Sequence, residues 1–97
     1  MTTHGNWTPA GISRGLRADL EAFERDAWDE AIAAKLPAEF LENLLKQMAG
    51  LEERIAFWKE AAGVEALRTY GLSQRTVAAA AGIAQVTAAK WKKAAGD

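Results

Sequence analysis

Apolar residues recur at intervals of three and four along most of this chain, and no segment alternates apolar with polar residues as a half-buried strand does. The first run is Leu16, Leu20, Phe23, Ala27, Ala31 and Ala34, widened by Trp28 and Ile32. It predicts a helix from about Ser13, a possible cap, to Lys35. Leu36-Pro37 ends that helix, because a residue before proline is pushed out of the α region. A second helix starts near Pro37 or Ala38, where Leu41, Leu44, Met48, Leu51, Ile55, Trp58 and Ala62 alternate +3 and +4 without a miss, the a/d seam of a coiled coil. Phe40, Leu45, Ala49 and Ala56 widen its apolar surface. Gly63 interrupts or loosens the run, and Val64–Tyr70 reads as a further helix, separate or continuous. After Gly71, Ser73 can cap a helix from Gln74 to about Ala81, Gly82 supplies a sharp turn at positive φ, and Gln85 to about Ala94 forms the last helix.

The predicted fold is therefore all-α. Residues 1–12 form a flexible arm, which Trp7 and Ile12 can pin to the body, and residues 13–62 a helical hairpin. Residues 63–97 form a tri-helical unit without a β-wing. Two short helices around a glycine turn are the helix-turn-helix arrangement. Its expected core is Leu67, Tyr70, Leu72, Val77, Ala81, Ile83, Ala88 and Trp91, with Ala78 where the helices cross. A two-helix hairpin has little core of its own. Leu41, Leu44, Met48, Leu51, Ile55 and Trp58 are therefore the candidate homodimer interface, against the alternative of a monomeric hairpin docked on the C-terminal unit. In a parallel pair Arg54 would face Lys59 of the partner, whereas in an antiparallel pair Glu52 would face Lys59. That favours an antiparallel dimer or a four-helix bundle, weakly, because exposed ion pairs contribute under about 1 kcal/mol.

Composition agrees with helices: 22 of the 97 residues are alanine and only seven are valine or isoleucine. The absence of cysteine excludes disulfides and thiolate metal sites. The single histidine, His4, all but excludes structural zinc and has no expected role. No apolar run is long enough for a membrane span and the N-terminus lacks a signal-peptide pattern, so a cytoplasmic protein is expected. The net charge of −1 hides a split. Residues 1–65 hold seven Lys/Arg against twelve Asp/Glu, a net of −5, whereas residues 66–97 hold five against one, a net of +4. The basic third is a candidate polyanion surface, the plainer alternative being a solvated lysine-rich face.

The stretch from Leu72 to Trp91, LSQRTVAAAAGIAQVTAAKW, fits L-S-x-R-x-V-A-x-x-A-G-I-x-x-x-T-x-x-x-W. It resembles the small homeodomain-like helix-turn-helix DNA-binding proteins of bacteria, phages and plasmids, over residues 64–94, about a third of the chain. The resemblance implies that the last helix enters the major groove. Gln85, Val86, Ala89 and Lys90 would then read base edges: Gln85 an adenine, Val86 a thymine methyl, Lys90 a guanine or a phosphate. Lys93 also points outward. Gln74, Arg75, Thr76, Thr87, Lys92 and Lys93 are the implied phosphate contacts, with Gln74 at a helix N-terminus whose amides favour an anion. Two departures matter. Ala84 stands where the family has a capping Ser or Thr, and Ala84 and Ala89 leave the reading face few hydrogen-bonding groups, so DNA shape would carry more of the specificity. One such unit binds weakly, and pairing two on a dimer raises affinity by effective concentration. Ile55 to Tyr70 spans ~22 Å of helix. That is compatible with two units in successive major grooves ~34 Å apart.

Catalytic chemistry is not expected. The only serines are Ser13 and Ser73, and no nucleophile–base pair or phosphate loop is present, since Gly11 and Gly15 lack a following Lys-Ser/Thr. Asp26, Asp29 and Glu30 read as an exposed acidic face more readily than as a cation site. No cofactor, metal or small-molecule effector is expected. The favoured function is a dimeric, sequence-specific, double-stranded-DNA-binding transcriptional regulator, associated with the nucleoid. The alternatives are a protein-interaction adaptor or antitoxin-like module acting through the acidic helices of 13–62, and a non-specific nucleoid protein.

Overall fold

The computed structural model describes residues 7–33 and 37–96, without the side chains at 28 and 30–33. His4 lies outside that range. The described residues are all-helical, in four helices: α1 (Pro9–Ala33), α2 (Pro37–Thr69), α3 (Gln74–Ala81) and α4 (Gln85–Ala94).

The first helix begins one turn earlier than expected. Pro9 occupies its first position, where the missing N–H costs nothing, and the Thr8 hydroxyl accepts the Gly11 amide at 3.0 Å. Ser13 is therefore inside α1 and caps nothing. Trp7, just ahead of the helix, sets its ring edge-on to Trp58 at 4.8 Å and to Phe57 at 6.2 Å, which fixes the start of α1 against α2.

The second helix is the spine. Thirty-three residues at 1.5 Å each give about 50 Å, which matches the 52 Å long dimension of a molecule 25 × 24 Å across. It runs through Gly63 unbroken. α1 packs along its N-terminal and middle turns, α3 and α4 pack on each other and on its C-terminal turns, and α1 touches neither of them among the described residues.

Burial is distributed unevenly. The buried apolar residues are Ala61, Val64, Leu67, Val77, Ala78, Ala88 and Trp91, all from the end of α2 onwards. Among the described residues, none in α1 and none in α2 before Ala61 is buried. A clamp adds specificity to the hairpin: Asp19 on α1 accepts the Trp58 indole N–H at 2.6 Å and the Arg54 guanidinium at 3.2 Å. Gly15 makes room for this, since a Cβ there would lie 2.2 Å from the Trp58 ring. Among the described residues no helix is long and apolar enough to cross a membrane.

Candidate nucleic-acid interface

Two devices set the geometry of α3 and α4. The Ser73 hydroxyl accepts the Thr76 amide at 3.1 Å and donates to the Thr76 hydroxyl at 2.9 Å, capping α3 as expected. Gly82 then takes the left-handed conformation, φ 68°, ψ 37°, and the amides of Gly82 and Ile83 return to the Ala78 carbonyl. This closes α3 and reverses the chain in a turn that a side chain would strain. Ile83 lies half-buried on the core, as the pattern predicted. Ala84 adopts the extended N-cap conformation but offers α4 no side-chain hydrogen bond.

The inner face of α4 is Ala88, fully buried, and Trp91, packed with Val64, Leu67 and Val77. Its benzo ring lies directly on Gly63: a Cβ there would be 2.3 and 2.4 Å from Cε3 and Cζ3. Gly63 is therefore the close-approach point that lets α4 sit on α2, where the sequence suggested only an interruption. Leu67, Val77, Ala78, Ala81 and Ile83 also pack as expected. Tyr70 and Leu72 do not: they are 58% and 40% exposed. α2 stops at Thr69, and Gly71 at φ 68° turns the chain so that the Leu72 amide reaches back to Ala66. That turn leaves both side chains outside the core.

At 100° per residue, Gln85, Val86, Ala89, Lys90 and Lys93 fall on one arc of about 140°, opposite Ala88 and Trp91. Gln85, Val86, Lys90 and Lys93 are exposed, Val86 at 65%, while Ala89 is half-buried. Of the expected phosphate contacts, Arg75, Thr76 and Lys93 are exposed, and Gln74, Thr87 and Lys92 are half-buried at the margins. Among the described residues Arg75, Lys90 and Lys93 enter no ion pair. Lys92 and Lys93, in the last turn of α4, complement the negative end of its dipole. The N–H groups of Gln74 and Arg75, at the start of α3, have no helical carbonyl to bond.

Arg68, unlike Arg75, Lys90 and Lys93, has an ion partner among the described residues. It donates to Glu65 on the preceding turn of α2, as does the Thr69 hydroxyl. The Thr69 and Arg68 hydrogen bonds hold the Glu65 carboxyl below its usual range, against the upward push of burial. The Arg68 charge is thus already compensated within the chain.

The candidate dimer seam is divided between two surfaces. Leu51 lines the α1–α2 grooves beside Phe23, Trp58 is held by Asp19, and Leu44, one heptad before Leu51, is half-buried. These three serve the hairpin itself. Leu41, Met48 and Ile55 remain exposed at 55%, 39% and 37%, and Leu45 at 64%. The +3/+4 pattern carried two faces about a sixth of a turn apart, which spacing alone does not separate.

No protein-family model matches the chain, and no curated protein or solved structure matches it either.

Proposed function

We propose that this chain is a dimeric, sequence-specific DNA-binding protein, a small transcriptional regulator, in which the end of α2 with α3 and α4 acts as a helix-turn-helix unit. The observation that carries the reading is the outward arc of α4. A polar reader (Gln85), a methyl-bearing contact (Val86) and two cations without an ion partner among the described residues (Lys90, Lys93) share one exposed face of a helix whose opposite face is anchored by Trp91. The arc matches what a helix needs to enter a major groove. Arg75, Thr76 and the α3 amides would meet phosphate, and Lys92 and Thr87 would flank the reading face. The methyl side chains of Ala84 and Ala89 offer bases no hydrogen-bonding group, so DNA shape carries part of the preference. The hairpin brings two units together, because one alone binds DNA weakly.

The test is fluorescence anisotropy with a random-sequence duplex pool at two salt concentrations, followed by sequencing of the bound fraction. The reading requires affinity that falls with salt and enrichment of an inverted repeat. Lys93→Ala should weaken binding to all sequences and reduce the log–log salt slope by about 0.9, whereas Gln85→Ala should relax the preference at one base position. Salt-dependent binding without enrichment would leave a nucleoid-type protein. No binding at low salt would leave the adaptor or antitoxin-like reading, which the exposed apolar side chains of the hairpin favour.

A further inference from the structure

The exposed stripe of α2 has an internal order. Its positions, at alternating four- and three-residue steps, are Leu41, Leu45, Met48, Glu52, Ile55, Lys59, Ala62 and Ala66, all exposed except Ala66, which is half-buried beside the C-terminal core. Large side chains occupy one end and alanines the other. Glu52 and Lys59 lie equally far either side of a point between Ile55 and Ala56. Both are exposed, and among the described residues neither has an ion partner in its own chain. The alanine end is a concave floor. On one side is a cleft of ≈ 390 Å³ walled by Pro9, Ile12 and Leu16 of α1. On the other is a cleft of ≈ 290 Å³ walled by Leu72, Ala80 and Ala81. Ala62 and Ala66 line both. The part of α2 that carries the large residues is also the part where no side chain is buried.

We infer that a second copy of this chain covers the stripe in an antiparallel arrangement, with the two-fold axis passing between Ile55 and Ala56 of each copy. In that register the residue numbers facing each other sum to 111. Glu52 of one copy faces Lys59 of the other, twice. Leu45 seats over Ala66 between the two clefts, Met48 lies over Ala62, and Leu41 meets exposed Tyr70. Large side chains thus fill the small-residue floor at both ends. In a parallel pair each residue would face its own copy, with Glu52 against Glu52, Lys59 against Lys59, and alanine against alanine over unfilled clefts. The register also has a consequence for spacing. Leu67 of the two copies, at the centre of the two C-terminal units, are separated by 23 helical steps, about 35 Å along α2. That is close to one turn of DNA, ~34 Å. On α2 the residues facing α3 and α4 lie to one side of the stripe and those facing α1 to the other, so the two-fold places both C-terminal units on the same side of the paired helices. The inference deepens the reading that the hairpin pairs two DNA-binding units, and it is tested without DNA.

The chain has no cysteine, so single cysteines report geometry cleanly. Leu45→Cys and Ala66→Cys proteins, each kept helical by circular dichroism, are mixed, equilibrated and oxidised. The expected product is a mixed disulfide dimer joining position 45 to position 66, identified by peptide mass, with neither protein linking to itself. Self-linked Leu45→Cys dimers would overturn the antiparallel register in favour of a parallel one. Sedimentation of the unmodified chain at its monomer mass of 10.5 kDa at tens of micromolar would overturn the pairing altogether. In both cases the anisotropy experiment still decides DNA binding independently. As a second handle, Glu52→Lys should weaken the dimer about tenfold and Glu52→Lys with Lys59→Glu should restore it. Failure of the double exchange to restore it would reject the Glu52–Lys59 pairing.

Discussion

Replacing Gly63 with alanine tests the close approach of α4 to α2 directly. Glycine inside an ordinary helix costs about 0.8–1 kcal/mol relative to alanine, so the change should stabilise wherever there is room. Gly50 is such a place: it lies in the same helix, exposed, and a Cβ there would meet nothing within 4 Å. Gly50→Ala should therefore raise stability by about 1 kcal/mol. At Gly63 the same methyl would stand 2.3 Å from Trp91 Cε3, more than 1 Å inside ordinary contact. The ring and the helix that carries it must then shift. Overpacking of this kind costs about 1–3 kcal/mol, which cancels the propensity gain or exceeds it by up to about 2 kcal/mol. The two variants should differ by about 1–3 kcal/mol, which in a domain this size is roughly 5–20 °C in melting temperature. Urea and thermal unfolding followed by far-ultraviolet circular dichroism measure the gap. Trp91→Phe in the Gly63→Ala background should recover part of the loss, because it removes the crowded edge of the ring. If Gly63→Ala and Gly50→Ala stabilise the chain equally, Trp91 does not rest on Gly63 and the position assigned to α4 is wrong.

Further outcomes follow from the caps, the hairpin clamp and Glu65. Ser73→Ala should lower the urea midpoint by the equivalent of about 1 kcal/mol, and Ala84→Ser should raise it by up to a similar amount, since the backbone at Ala84 already has cap geometry without a cap hydrogen bond. Asp19→Ala should cost about 1–3 kcal/mol by leaving the Trp58 N–H without its acceptor, with a matching change in tryptophan fluorescence. Because the folded state lowers the Glu65 pKa, its contribution is complete above the unfolded value near 4.5 and disappears as pH falls through the lower folded value. Glu65→Gln should therefore be less stable than the unmodified chain at pH 7, and the difference should close below pH 4.5 in a pH series of urea melts.

The helical periods, the start of α2 at Pro37, the Ser73 cap and the Gly82 turn were legible in the sequence because each depends on residues within a few positions of one another. The inward positions of α3 and α4 were legible for the same reason, and so was the outward arc of α4. What sequence reading missed were contacts between distant segments. Asp19 lies 39 residues from Trp58, and nothing local marks it as an acceptor. Gly63 was read as an interruption of the helical run and Gly15 only as lacking a phosphate-loop pattern, although an isolated glycine in a strong helical pattern is itself a signal of close packing. Tyr70 and Leu72 were assigned to the core on hydrophobicity, but the left-handed turn at Gly71 decides where they point. The seam of α2 was read as one surface because a +3/+4 pattern does not say which half faces α1.

The continuity of α2 has a mechanical consequence. The hairpin and the C-terminal unit are joined by a rod, with no tether between them. A flexible linker would let paired units search over a range of separations. A rod fixes both distance and phase. One residue inserted between Ile55 and Gly63 would advance the C-terminal unit by ~1.5 Å and rotate it by ~100°, while a seven-residue insertion would nearly restore its facing at a longer reach. A paired form of this chain would therefore act as a ruler with one graduation. Sites of another spacing could be accommodated only by twisting or bending the DNA, and tolerance to half-site spacing would report the torsional stiffness of the duplex more than any give in the protein.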